Sequence, residues 1–277
     1  MACSFFWRGE ALLTMPVEGI NGRLDRSIDN HVHTSLCKHA SGTMEEYVQA
    51  GIALGLRKII FLEHLEVGIH YRQPTWLSVE EFDLYFAEGE KLRRKYADQI
   101  RIGLGVEAGY NPARVEGIID ILGRYSWDAV GLSYHFMEID GRHYNLVSRR
   151  KSNMEILGSL GVSRVVARYF QIILEAVEKI PADFVCHLDA VMRHHPQTCF
   201  NSENDAVIDE IFAAMAAKGM ALEVNFSGIR IRGEPYPAYK YIRRAVEKGV
   251  RLVAGSDAHR PQDVGRFDKF TEALVSG

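Results

Sequence analysis

Cysteine is scarce in this chain and carries no pairing signature. Cys3, Cys37, Cys186 and Cys199 are its four cysteines, and none stands in a C-x-x-C spacing. They read as reduced thiols of a cytoplasmic protein. Cys37 and Cys186 lie close to the polar residues singled out below, but small apolar filler is their simpler role. An excess of basic charge is also missing. The formal net charge is -3, which argues against a general nucleic-acid binder with its basic face. A small anionic substrate held by a few local arginines stays open. No apolar run is long enough to span a membrane. Met1 to Thr14 do not form a signal peptide, because Arg8 and Glu10 interrupt the apolar residues. Met15 reads as an alternative start. Linkers, internal repeats and low-complexity segments are absent too. With 47% hydrophobic and 25% charged residues, the composition is that of an ordinary globular protein. Residues 1–24 are expected to be an N-terminal extension and residues 25–277 a single domain.

What is present is an alternation of short β-branched runs with longer helical patterns. The expected strands are Ile28–His33, Lys58–Glu63, Arg101–Glu107, Trp127–Tyr134, Asp183–Leu188, Met220–Asn225 and Val250–Ser256. Thr43-Met44-Glu45-Glu46 and Ser78-Val79-Glu80-Glu81 fit capping boxes that open helices. Val207, Ile208, Ile211, Phe212 and Met215 share one helical face that closes at Gly219. A further helix follows Pro237 and stops at Gly249. Strand–helix units in series favour a parallel sheet, since parallel strands need long crossovers. An open doubly wound sheet concentrates its chemistry at one switch point. A closed barrel spreads it over all its strand ends. The α/β barrel fits better here, because candidate ligands follow six of the seven strands.

Those candidates are histidines and carboxylates. His31 and His33 stand two apart at the end of a strand, so their side chains project from one face. His39 follows in the next loop. His64, Glu107, His135, His187, Asp257 and His259 come at or just after later strands. A lone histidine at a strand end is usually an ordinary polar residue. Seven of the eleven histidines share the pattern, and leaving so many imidazoles unpaired would cost about 1–3 kcal/mol each. One ion needs three or four protein ligands. Nine candidates are therefore enough for roughly two to three divalent ions. Zinc, manganese and iron all accept imidazole with carboxylate. Arg193 and Arg230 lie just past strand ends, where a guanidinium suits a phosphate dianion. Arg232 and Arg260 read as solvated surface residues. Glu63, Glu66 and Tyr110 are weaker substrate contacts, and the pair His194-His195 is secondary.

His31-Val32-His33, Glu63-His64, Glu107, His135, His187 and Gly255-Ser256-Asp257-Ala258-His259 together resemble the PHP (polymerase and histidinol phosphatase) superfamily over nearly the whole chain. Cys186-His187-Leu188-Asp189, Glu223 to Arg230, Pro235-Tyr236-Pro237 and the continuation to Arg260-Pro261 resemble its histidinol-phosphatase branch. Phe226 departs from that pattern, standing where a small hydroxyl residue is expected. The resemblance implies a distorted seven-stranded β/α barrel and three metal positions. The first would use His31, His33, Glu107 and Asp257. The second would use Glu107 as a bridge, with His135 and His187. The third would use His39, His64 and His259. Glu107, Asp257 and His259 would be the catalytic residues, with Arg193 and Arg230 as phosphate clamps. The implied reaction is attack by metal-activated hydroxide on a small phosphomonoester, L-histidinol phosphate above others, releasing inorganic phosphate. Another small phosphate or nucleotide as substrate, or a non-catalytic metal-binding module, are the alternatives.

Overall fold

The computed structural model describes residues 23–267. The expectations for Met1, Met15 and Cys3 lie outside them. Seven strands form one parallel sheet: β1 (Ile28–Val32), β2 (Lys58–Glu66), β3 (Arg101–Gly109), β4 (Val130–Ser133), β7 (Phe184–Val185), β8 (Ala221–Asn225) and β9 (Arg251–Gly255), in that spatial order. The first and last strands meet. Val32 bridges to Ala258, the His33 N–H donates to Ala258 O at 3.0 Å, and the Asp257 N–H donates to His31 O at 2.9 Å. The sheet is thus a nearly closed seven-stranded barrel, as expected.

The helices cover its outside. They are α1 (Met44–Ala53), α2 (Val79–Lys95), α3 (Val115–Leu122), α4 (Lys151–Ser159), α5 (Val162–Lys179), α6 (Ser202–Lys218), the single turn α7 (Ile229–Arg232) and α8 (Tyr239–Glu247). Both expected capping boxes form, at Thr43 with Glu46 and at Ser78 with Glu81. Gly219 ends α6 in the left-handed conformation at φ 68°. No single helix among the described residues is long and apolar enough to cross a membrane.

Two strands are shorter than their sequence patterns. The run Trp127–Tyr134 pairs only over Val130–Ser133, and Asp183–Leu188 only over Phe184–Val185. Buried apolar residues continue past each paired stretch, so hydrophobicity overstates the ladder. An antiparallel hairpin, β5 (Phe136–Ile139) with β6 (Arg142–Asn145), was not expected. It leaves the barrel directly after His135.

Strand alternation divides the side chains between two cores. On β2, Ile59 and Phe61 point outward to the helices, while Ile60 and Leu62 point inward beside Ala129, Phe184, Cys186 and Ala221. A barrel of seven strands encloses little space, and glycine relieves the crowding. A Cβ on Gly105 would lie 2.5 Å from Ala129 O, and one on Gly131 would lie 2.6 Å from Cys186 Sγ. Backbone oxygen cannot rotate aside. Gly105→Ala is therefore expected to destabilise the fold by ~1–3 kcal/mol, read as a lower urea midpoint with an unchanged slope. An unchanged midpoint would show that the barrel wall can widen at no cost.

Candidate metal centre

The inward column that is apolar at the barrel's base becomes polar at its C-terminal end. On β2 the sequence runs Ile60, Leu62, His64, Glu66; on β3 it runs Gly103, Gly105, Glu107, Gly109. Register pairs His64 with Glu107. His31 and His33 follow the same rule on and just past β1. The remaining ligands come from chain that has left the ladder. His135 follows β4 by two residues, His187 follows β7 at φ 25°, and Asp257 follows β9 at φ 52°. Positive φ is unusual for residues with a Cβ, and here it turns two side chains inward.

All nine expected ligands converge. His31, His33 and Glu107 are fully buried, and His39 is exposed at the mouth. Bonds of ~2.0–2.1 Å in a tetrahedral zinc site place neighbouring ligand atoms roughly 3.3–3.4 Å apart. Glu107 Oε2 lies 3.4 Å from His31 Nε2 and 3.6 Å from His33 Nε2. Asp257 Oδ1 lies 3.8 Å and 3.4 Å from the same nitrogens. Those spacings are of the size a cation would set, while His31 Nε2 and His33 Nε2 lie closer, at 2.8 Å. On its other side, Glu107 Oε1 lies 2.8 Å from His187 Nε2 and 3.2 Å from His135 Nε2. One carboxylate thus faces two ligand groups. His39 Nε2 and His259 Nε2 approach to 2.7 Å, with His64 beside them. His64 does not belong to that third group alone, because its Nδ1 is 2.8 Å from Glu107 Oε2. Clustered imidazoles with carboxylates are a donor set that divalent transition metals accept.

The outward nitrogens explain why the inward ones are available. His31 Nδ1 lies 2.7 Å from Glu223 Oε1, and His135 Nδ1 lies 2.8 Å from Glu66 Oε1. His39 Nδ1 and His259 Nδ1 reach the carbonyls of Cys37 and Asp257 at 3.0 and 2.9 Å. Each contact holds a proton on Nδ1 and leaves Nε2 facing the centre. Glu223 also accepts from the His187 N–H at 2.8 Å and from Asn225 Nδ2 at 3.0 Å. Neither Glu66 nor Glu223 was expected in these roles. The signal was there: a carboxylate at an inward position of a strand must be compensated. Glycine makes room for both. A Cβ on Gly109 would meet the Glu66 carboxyl at 2.2 Å, and one on Gly255 would meet Glu223 Oε1 at 2.0 Å. Glu63 turns to Thr34 instead, accepting from its N–H at 2.8 Å and its hydroxyl at 2.5 Å.

Other expectations divide. Arg193 lines the cavity above the metal ligands, with Thr75, Phe136, Asn145 and Val147. The structure does not bring Arg230 there. Its guanidinium donates to Asp263 at 3.0 Å, beside a different cavity lined by Phe226 and Arg266. Arg232 is not a solvated surface residue. It holds buried Asp189 through two bonds of 3.0 and 2.9 Å and lies over the Tyr236 ring. Arg260 is exposed, as expected. Tyr110 is buried and donates to Glu175 at 2.9 Å, away from the centre. Cys37 and Cys186 are buried, and burial pushes the Cys37 thiol up to about 12 and the Cys186 thiol well above its ordinary range.

Electrostatics follow from crowding. Burial raises the cost of charging Glu107, but His135, His64 and His31 outweigh it and hold the carboxylate well below its usual range. Burial likewise disfavours protonated His31 and His135. The carboxylates Glu223 and Glu107 nevertheless hold His31 well above its ordinary value, and Glu107 and Glu66 raise His135 to about 10. Burial and the neighbouring His33 depress His259 to about 3. At pH 7 the metal-free centre therefore keeps protons on His31 and His135, while His259 is neutral. A bound metal requires neutral imidazole. Metal loading at pH 7 should release protons, and the release should fade as pH rises towards about 10, where His135 is already neutral. Calorimetric titration in buffers of different ionisation heat counts them, and zero release at pH 7 would contradict this charge arrangement.

The PHP domain family model matches residues 29–227. A Deinococcus radiodurans protein named "Probable histidinol-phosphatase" is 30% identical, covering 89% of this chain and 90% of its own length. The Bacillus subtilis histidinol-phosphatase is 26% identical over 88% of this chain and 98% of its own. Among solved structures, the histidinol phosphate phosphatase of Lactococcus lactis, complexed with zinc, L-histidinol and phosphate, superposes with a TM-score of 0.71 at 22% identity, covering 90% of this chain and 94% of that one. A Listeria monocytogenes structure gives 0.79 at 22% identity, covering 88% and 99%. These likenesses at 22% identity speak for the fold. The matched model and the sequence relatives speak for descent: this chain belongs to the PHP domain family, in its histidinol-phosphatase branch.

Proposed function

We propose that this protein is a metal-dependent phosphomonoesterase that hydrolyses L-histidinol phosphate to histidinol and inorganic phosphate. The observation that carries the reading is a cluster of seven histidines with Glu107 and Asp257, five of the histidines facing Glu107 itself, below a cavity that one arginine overlooks. The relatives' names favour histidinol phosphate over other small phosphates. When bound, the ions supply positive charge for the phosphate oxygens and lower the pKa of coordinated water from about 15.7 towards about 7.

The chain's own residues do the rest. Glu107 and Asp257 hold negative charge against the imidazoles and fix the spacing of the ligand atoms. Glu223 and Glu66 keep His31 and His135 in the tautomer that presents Nε2. His259 is neutral at working pH and is free to ligate at the mouth of the centre. Phe136 and Val147 give the cavity an apolar side that limits water around the ester. Arg193 has no carboxylate partner among the described residues and reaches the same cavity, so its charge is available to the phosphate. The cavity is small, about 80 Å³, which suits a phosphoryl group and not an extended polymer.

Screening phosphomonoesters with the purified protein tests the substrate. Histidinol phosphate should be turned over well above all others, and equal rates across the panel would reject it. Protein prepared without chelator should carry more than one equivalent of transition metal by elemental analysis. Glu107→Ala should lose at least one of those equivalents and slow turnover more than ~1000-fold. Retained activity and metal would exclude Glu107 as the shared ligand.

Arg193→Ala should leave metal content unchanged and lower kcat/KM by roughly 10- to 1000-fold. Arg193→Lys should recover part of that loss, because a point charge replaces a two-pronged contact. Arg230→Ala, already held by Asp263, should cost less than Arg193→Ala. The reverse order would move the phosphate clamp to Arg230.

A further inference from the structure

A second cavity lies beside the metal centre, not in it. Its volume is about 520 Å³, within the size range of small-molecule sites. It opens between the chain that follows β7 and the chain that follows β8. Phe200, Tyr236 and Tyr241 supply flat apolar walls. Arg193 forms part of its boundary and also part of the boundary of the metal cavity.

Its charges are mostly spent within the protein. Asp189 accepts from both terminal nitrogens of Arg232 and from the Ala238 N–H at 2.9 Å. Glu234 accepts from the Tyr239 N–H at 3.2 Å. Lys240 pairs with Asp205 at 3.3 Å and sits over the Tyr241 ring. Three polar atoms are left over. Arg193 Nε, His194 Nε2 and the hydroxyl of Tyr236 are all buried without a hydrogen-bond partner, and all three side chains line this cavity. Tyr236 is wholly buried, with its ring 5.7 Å from the Arg193 guanidinium. A buried polar group left unpaired is costly, and three such groups gather at this cavity. The surplus is of donors and of one positive charge. A guanidinium carries five N–H donors, enough to serve both cavities it borders. Burial and the neighbouring Arg193 lower His194 to about 4, so it adds a neutral imidazole and no second charge.

We propose that this cavity is a second ligand site, taking a small monoanion with a flat apolar body, of the class of aromatic carboxylates. The carboxylate would meet Arg193 and the Tyr236 hydroxyl, and the ring would lie against Phe200 and Tyr241. A sugar or polyol fits poorly, since the walls offer it few partners.

The test is calorimetric titration of the metal-loaded full chain with sodium benzoate, at a series of inorganic phosphate concentrations. It reads binding alone, so its outcome does not depend on which phosphomonoester the enzyme prefers. Benzoate should bind at one equivalent. Its apparent Kd should rise with phosphate and then level off, because the two anions share one arginine but occupy different cavities. Neutral benzamide should bind more weakly. Tyr236→Phe should weaken benzoate roughly tenfold or more, the loss of one hydrogen bond to a charged acceptor. Thr198→Trp, which fills the cavity, should abolish binding. If Tyr236→Phe fails to fold, His194→Ala removes a different unpartnered atom and should also weaken it. An apparent Kd that rises without limit as phosphate increases would place benzoate on the metals and overturn the proposal. So would unaltered affinity in the folded variants, or no saturable binding to the parent protein.

Discussion

One buried carboxylate sets the terms for everything around it. Glu107 has no exposed surface, and its two oxygens face imidazole nitrogens of His31, His33, His64, His135 and His187 at 2.8 to 3.6 Å. A carboxylate so far from water must be met by positive charge. In the metal-free protein that charge can come only from protonated histidine. Hence His31 and His135 are pulled upward while His64 and His259, next in line, are pushed down. The alternation is what one anion does to a crowd of bases too close together to be charged at once. Metal ions resolve the same conflict without protons.

The barrel wall makes that placement possible. Because strand side chains repeat every two residues, the column that carries Glu107 also carries Gly103, Gly105 and Gly109. The two lower glycines let the barrel close tightly, and the upper one gives the Glu66 carboxyl its space. Gly255 does the same for Glu223 on the opposite side. Small residues therefore serve packing at the base and chemistry at the rim, and a single β-strand period links the two. At β7 and β9, where the chain turns inward early, positive φ at His187 and Asp257 does what strand geometry alone does for His31, His33 and Glu107.

This explains which parts were legible from sequence. Inward polar residues on strands, such as His31, His64 and Glu107, follow from periodicity, and the structure brings all nine expected residues together. The capping boxes at Thr43 and Ser78 are local codes and formed as read. The hairpin Phe136–Asn145 was not legible, because its strands are four residues each and interrupt an apparent crossover. Arginine roles were legible least. Arg193, Arg230 and Arg232 all follow strand ends, yet one faces the metal cavity, one pairs with Asp263 and one holds Asp189. Which carboxylate captures a long flexible side chain is a tertiary fact. Glu223 could have been read: an acid at an inward strand position, between Leu222 and Val224, has no solvent to face.

Charge balance bears on how the centre would hold metal. Five carboxylates surround the imidazoles: Glu63, Glu66, Glu107, Glu223 and Asp257, all buried. Asp29 is set apart by three backbone N–H donors, from His31, Ser256 and Gly265. Arg193 is the one cationic side chain that borders the metal cavity among the described residues. A phosphate dianion entering this space adds two negative charges. Divalent ions supply the compensating positive charge that Arg193 alone does not. In that state the imidazoles need carry no protons. The acids behind His31 and His135, a burden to the metal-free fold, then become counter-charge to bound metal.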